Sequence, residues 1–248
     1  MAYDLEIAYR LAVLSSAAYL NGFDAEREAL AFGADEAHAI DVGNVEFLIA
    51  RFGADVAIVF RGTSEGDDVL RDAWASLEAR DGFLGRVHAG LSLGPFEASQ
   101  AILSEVREML GLDGFVDVGG HSKGGAEAIF AAWLLKARDI PIRSVHVFGC
   151  PAVGDREFVY ELTATLPEVY SHVYRSDIVA RAPMLLRALG LYWPAGRLVF
   201  HTRFRSRFRV SWWRWLLHSL RALTRFRAKA DHSMSNYVFA TFRRSVSQ

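Results

Sequence analysis

In the stretch DLEIAYRLAVLSSAAY near the start of the chain, Ile7, Leu11, Leu14 and Ala18 recur at helical spacing, so the chain is expected to open with an amphipathic helix. VEFLIARF and DVAIVF follow, parted only by Gly53 and Ala54, and read as a hairpin of two buried strands. Beyond RGTS and a polar stretch, ASQAILSEVREML has a helical pattern, GFVDVGG is a short apolar run ending in glycines, and GAEAIFAAWLLKARD is a second strong helical pattern. RSVHVFG and YSHVYRS continue as strands with DREFVYELTATL as a helix between them, and GRLVFHTRFR is the last strand candidate. Strands alternating with helices predict a largely parallel sheet covered on both faces. No repeat, low-complexity segment or linker interrupts the pattern, so residues 1–248 are expected to form one α/β domain.

Composition supports that size of core, with 52% hydrophobic residues in 248. Cys150 is the only cysteine, which rules out an intrachain disulfide and fits a reducing compartment. The start MAYDLEIAYR carries Asp4 and Glu6 where a secretory signal carries positive charge, and LAVLSSAAYL is broken by serines. No uncharged apolar run approaches the roughly 18 residues of a membrane span. The expectation is a protein of the cytoplasm or the membrane periphery with no signal peptide, leaving signal-independent export open.

Charge changes the picture at the C-terminal end. Residues 1–120 hold 8 Arg and 21 Asp or Glu, whereas 201–248 hold 10 Arg, one Lys and one Asp, or −13 against +10. The basic part is expected to face an anionic surface, either the acidic half of its own chain or a membrane or polyanion. Within 211–229, Arg214, His218, Arg221 and Arg225 share one helical stripe, and Trp213, Leu216, Leu217, Leu220 and Leu223 share the opposite one. Trp193, Trp212, Trp213 and Trp215 cluster in or near the segment. Such a helix covers the domain's core, or it lies in a membrane interface with Trp212, Trp213, Arg214, Arg221 and Arg225 at headgroup level.

Candidate chemistry starts at GGHSKGGAEA, residues 119–128, where Ser122 stands between a strand pattern and a helix pattern. Gly120 and Gly124 remove side chains that would collide across a sharp elbow, and the helix beyond offers free N–H groups and its positive end. A second G-x-S-x-G, GLSLG at 90–94, lacks a strand of central type before it, and Pro95 obstructs a turn running into a helix, so Ser92 reads as structural. A serine nucleophile needs a base, and the base an orienting carboxylate. Asp177 follows the strand YSHVYRS, with Asp155 and Glu168 as competing acids. His232 follows the last strand candidate. Of its competitors, His146, His172 and His201 lie in apolar strand patterns and His218 on a cationic stripe.

Six segments in order resemble the class 3, fungal-type lipases of the α/β-hydrolase superfamily, from about residue 8 to 240. VAIVFRGTS is similar to the family's oxyanion strand, VHAGL to its H-x-G-F segment and VGGHSKGGAEA to its elbow. VFGCPAVGD is similar to F-G-x-P-x-V-G, YRSDIVARAP to the acid loop and DHSMSNY to the histidine segment. The resemblance implies an α/β-hydrolase fold with a mostly parallel central sheet. It makes Ser122 the nucleophile, Asp177 the acid and His232 the base, and it assigns the oxyanion hole to the backbone N–H groups of Thr63 and Lys123. Leu70, Trp74 and Leu77 are similar to the family's lid segment. The implied reaction is acyl transfer from a lipid ester to water through an acyl-enzyme, with no metal or cofactor and no nucleic-acid partner. Phospholipase A1-like and acyltransferase activities are its variants, and a non-catalytic membrane-binding protein on the same fold is the rival. Position 123 is usually Leu in these lipases and is Lys here. Its charge is expected either to pair with Glu127, four residues on, or to reach the pocket mouth and favour anionic substrates.

Overall fold

The computed structural model describes residues 3–63, 77–79, 82–166, 168–181, 191–202, 206–208 and 230–245. Leu70, Trp74, His218 and the whole segment 211–229, with Trp212, Trp213, Arg214, Arg221 and Arg225, lie outside them.

The opening helix is α1 (Leu5–Ala17), whose cap Asp4 accepts the amides of Glu6 at 2.9 Å and Ile7 at 3.2 Å. Ile7, Leu11, Leu14 and Ala18 are all buried. Next come α2 (Gly22–Ala31) and β1 (Glu36–Val42), which the hydrophobic pattern does not reveal. β1 is an edge strand with mostly half-exposed positions, so it shows neither a continuous apolar run nor clean alternation. The expected hairpin is β2 (Val45–Phe52) and β3 (Asp55–Phe60). Its strands are apolar on both faces because each face meets a core: Phe47, Ile49, Ile58 and Phe60 join one, Leu48, Ala50, Ala57 and Val59 the other. Each of the Val, Leu, Ile and Phe side chains removed from water contributes about 1.5–3 kcal/mol.

Two short strands, β4 (Leu77–Ala79) and β5 (Arg86–His88), make a separate antiparallel pair, with the lid candidate Leu77 half-buried in it. The remaining elements are α3 (Ala89–Glu97), α4 (Ser99–Met109), β6 (Val116–His121), α5 (Lys123–Lys136), β7 (Ile142–Phe148), α6 (Arg156–Thr165), β8 (Val169–Tyr174), β9 (Arg197–His201), β10 (Ser206–Phe208) and α7 (Met234–Ser245). GLSLG is helical, contrary to the sequence expectation: it lies inside α3, and Pro95 continues that helix. Burial of Leu91, Ser92 and Pro95 outweighs the backbone bond that proline forgoes. Ser92 is structural, its hydroxyl donating to the Ala89 carbonyl at 3.2 Å.

The main sheet has the order β1-β2-β3-β6-β7-β8-β9-β10. Pairing is parallel from β3 through β9 and antiparallel at both edges. Side chains of α3, α4, α5 and α6 fill the core on one face, and those of α1, α2 and α7 the core on the other. The parallel register sends the ends of β3, β6, β7 and β8 to the same edge, where open α/β sheets collect their chemistry.

Three histidines cross the second core. His146 Nδ1 lies 3.1 Å from His172 Nε2, and His172 Nδ1 lies 2.8 Å from His201 Nε2, all three residues being buried. Burial pushes the pKa of His146 down to about 3. A histidine neutral in the fold and protonated in the unfolded chain supplies stability that is complete above the unfolded value near 6.5 and is lost as pH falls toward the folded one. Urea unfolding between pH 7.5 and 5 is therefore expected to show stability falling with acid, with His146 contributing on the order of 1 kcal/mol per pH unit below 6.5. In His146→Gln that slope should be visibly shallower. An unchanged slope would mean that His146 does not titrate in this range.

Candidate active site

β3 and β6 pair in parallel with Phe60 beside Gly120, and two residues later the chain turns from β6 into α5. Ser122 makes the turn with φ 59° and ψ −127°, a conformation costing of order 1–3 kcal/mol in a residue with a side chain. Its surroundings impose it. The Ser122 amide donates to Phe148 O at 2.9 Å and its carbonyl accepts from Gly125 N–H at 3.0 Å. A Cβ on Gly120 would lie 2.2 Å from Gly124 O, and one on Gly124 would lie 2.2 Å from Phe60 O, so only glycine fits at either position. Lys123 is the first residue of α5, and the amides of that turn have no acceptor inside the helix. Thr63 lies three residues past β3, half-buried, with its Oγ1 buried and unpartnered among the described residues. Ser122 is 1% exposed, and its Oγ also has no partner among them.

The carboxylate and imidazole arrive from β8 and from the 3-10 turn Ala230–His232. Asp177 is fully buried and accepts four groups: the amides of Val179 at 2.9 Å and Ala180 at 3.3 Å, His232 Nδ1–H at 2.9 and 3.0 Å, and, through a short bond, the Tyr237 hydroxyl. Burial alone would raise its proton affinity, but the charge and hydrogen bonds of His232, with Tyr237, hold its pKa below the ordinary carboxylate value. The buried Arg181 guanidinium clamps the turn beneath by donating to the carbonyls of Asp177 at 2.6 Å and Arg175 at 2.7 Å. Gly149 joins this pair to the serine. Its neighbour Phe148 holds Ser122, and a Cβ on Gly149 would fall 2.8 Å from Asp177 Oδ2 and 2.9 Å from His232 Nδ1.

The competing groups have other duties. Asp155 caps α6 through Phe158 N–H at 2.9 Å, Glu168 pairs with Tyr170 and Arg197, and His146, His172 and His201 form the buried ladder. Sequence reasoning missed Gly149, Arg181 and Tyr237. For Tyr237 a signal was present, because five residues of turn and helix after His232 return a side chain to the same carboxylate.

The sequence model of the family described as Lipase (class 3) matches residues 57–186. Toxin TseL of Vibrio cholerae is 30% identical over 154 residues, 57% of this chain and 23% of that protein. Lipase ZK262.3 of Caenorhabditis elegans is 29% identical over 152 residues, 57% of this chain and 41% of that protein. The matched stretch thus spans less than half the length of either curated relative. A solved triacylglycerol lipase, described as having a serine protease triad as its catalytic centre, superposes with a TM-score of 0.69 at 21% identity, over 92% of this chain and 91% of that one. The fold is that of the α/β-hydrolases.

Lys123 settles one of the two expectations for its charge. Nζ lies 2.8 Å from Glu127 Oε1 and donates to the Asn44 carbonyl at 3.1 Å, tying the elbow to the β1–β2 turn. Glu127 is 1% exposed with Oε2 unpartnered among the described residues, and burial raises its pKa despite the opposing charge of Lys123. With Glu127 buried and Lys123 half-buried, the pair resists loss of the lysine more than loss of both partners. Lys123→Leu alone is expected to destabilise by about 1–3 kcal/mol in urea unfolding at neutral pH, because Glu127 is left buried without its partner, while Lys123→Leu with Glu127→Leu should be neutral or stabilising. Additive losses would show that the two side chains are energetically independent.

Proposed function

The chain belongs to the class 3 lipase family, and from that premise we propose that it hydrolyses carboxylic esters of lipids, with Ser122 as nucleophile, His232 as base and Asp177 as the group that orients it. One conjunction carries the reading: a strained, buried serine at the start of a helix, and an imidazole fixed by its Nδ1–H on a buried carboxylate and packed 4.5 Å between ring centroids from His121, the residue before that serine. With Nδ1 protonated and donating to Asp177, Nε2 keeps its lone pair and takes the Ser122 proton as Oγ attacks the ester carbonyl. The Thr63 and Lys123 backbone amides receive the developing oxyanion, each worth about 2.7–4 kcal/mol in the transition state, with the positive end of α5 adding to them. His232 then protonates the leaving alcohol. Water, deprotonated by the same imidazole, releases the acid from Ser122.

Phospholipase A1-like hydrolysis and acyl transfer to another acceptor use the same steps with a different ester or a different second nucleophile. Of the two curated relatives, one is named a toxin and the other a lipase, so the ester to be tested is not narrowed to one lipid class. The basic, Trp-rich segment 211–229 supports peripheral contact with anionic membrane. A pure binding module would have no use for the strain at Ser122 or for the Asp177–His232 pair.

The test is a panel of esters of increasing chain length, including neutral and anionic phospholipids, assayed below and above the concentration at which each aggregates. Ser122→Ala is expected to lower turnover by about a million-fold and to abolish labelling by a fluorophosphonate probe. Ser92→Ala should leave both within twofold of the parent. Labelling that survives Ser122→Ala would sink the assignment.

A further inference from the structure

Two side chains beside the triad take no part in the mechanism above. Tyr19 lies in the turn after α1, and His121 is the last residue of β6, directly before the nucleophile. The Tyr19 hydroxyl is 2.7 Å from His121 Nδ1, and His121 Nε2 is 2.7 Å from the backbone carbonyl of His232. A carbonyl only accepts, so Nε2 carries the ring proton. Nδ1 of the neutral ring is then a lone pair, and the Tyr19 hydroxyl donates to it. Burial raises the pKa of Tyr19, so its proton stays in place.

The His121 ring also faces His232 at 4.5 Å between centroids, tilted by 30°, with Tyr237 at 5.9 Å. Burial, reinforced by the neighbouring His232 and opposed by Asp177, pushes the pKa of His121 down to about 3. The base therefore has a neutral ring beside it while it cycles through its own charged form. Tyr19 is fixed from the other side as well. A Cβ on Gly62 would fall 2.4 Å from the Tyr19 oxygen, 2.5 Å from His121 O and 3.0 Å from Ser122 Cβ. The phenol is wedged where the segment leading to Thr63 meets the nucleophile's strand.

We propose that Tyr19 and His121 are positioning residues: Tyr19 sets the Nε2–H tautomer of His121, and His121 holds the backbone of His232, so that the turn carrying the base is registered on the strand carrying Ser122. The opposite tautomer would set a lone pair against the His232 carbonyl and release that turn. The catalytic meaning of this latch rests on the proposed hydrolase reaction. The latch itself does not, which allows the two to be tested apart.

The first measurement is ring-nitrogen NMR on the histidine-labelled parent, with His121 assigned by its absence in His121→Gln. His121 is expected as a neutral Nε2–H tautomer from pH 5 to 8. An Nδ1–H tautomer, or protonation above pH 5, overturns the proposal whatever the enzyme's activity. The second is kinetic. Tyr19→Phe should lower kcat about 10- to 100-fold with KM within twofold, since misplacing the base affects the reacting geometry more than substrate capture. His121→Gln, whose amide reaches the same carbonyl, should recover most of the kcat lost in His121→Leu. Unchanged kcat in Tyr19→Phe, or equal losses in the Gln and Leu variants, overturns it. If the parent hydrolyses no ester, the reaction assignment fails and the NMR result alone decides the latch. Variants that do not fold leave that same measurement on the parent as the deciding one.

Discussion

Three backbone segments meet at Ser122 with no room for a side chain between them. Phe60 ends β3, Gly120 belongs to β6 and Gly124 to the first turn of α5, and a methyl group on either glycine would fall on a carbonyl of another segment. The crossing is possible because β3, β6 and β7 pair in parallel and in register, which aligns Phe60, Gly120 and Val147 across the sheet. The register is held in turn by apolar positions far from the chemistry, such as Ile58, Val118 and Val145 in one core and Ala57 and Val59 in the other. The positive φ of Ser122 thus has a cause in packing, and Gly149, next to the Phe148 that binds the Ser122 amide, sets the Asp177–His232 pair against the same sheet edge.

The two ends of β6 show how the fold separates support from reactivity. At its start the buried Asp117 accepts from Ser144 at 2.8 Å and from the Arg143 guanidinium, which also reaches Asp55 at 2.7 Å. Every acceptor there is matched, as a buried carboxylate requires. At its other end Ser122 Oγ is equally buried and is matched by nothing among the described residues. Thr63 Oγ1 and Glu127 Oε2 are likewise unpartnered among those residues, so these unmatched polar atoms gather at the elbow end of the strand and not at its start.

Much of this was legible in the sequence because it is local. The helix at α1, the β2–β3 hairpin and the elbow each show within a dozen residues, and the elbow's glycines have a steric reason that needs no tertiary information. β1 was hidden by its half-exposed edge position, and α3 by a proline that local rules set against a helix and packing retained. Lys123 and Glu127 were readable as a helical pair, but not their burial or the reach to Asn44, which depend on how the β1–β2 turn folds over the elbow. Tyr19 meets His121 across 102 positions of chain, and Tyr237 meets Asp177 across 60. Separations of that size leave no periodicity or spacing to read.

The same separations bear on timing. Asp177 and His232 are 55 positions apart, and His121 and His232 are 111 apart. The ribosome delivers these residues in order, at about 5–20 per second, so His232 emerges roughly 6–22 s after the strand that ends at His121. Throughout that interval a nascent chain can build its elbow and hold Ser122 in its strained turn without the Asp177–His232 pair. Long-range contacts also form late in folding because closing so large a loop is costly in entropy. The fold therefore acts as its own clock: the Asp177–His232 pair is complete only after α7 has closed against α1, and a nascent chain that has not reached that point holds the strained serine without it.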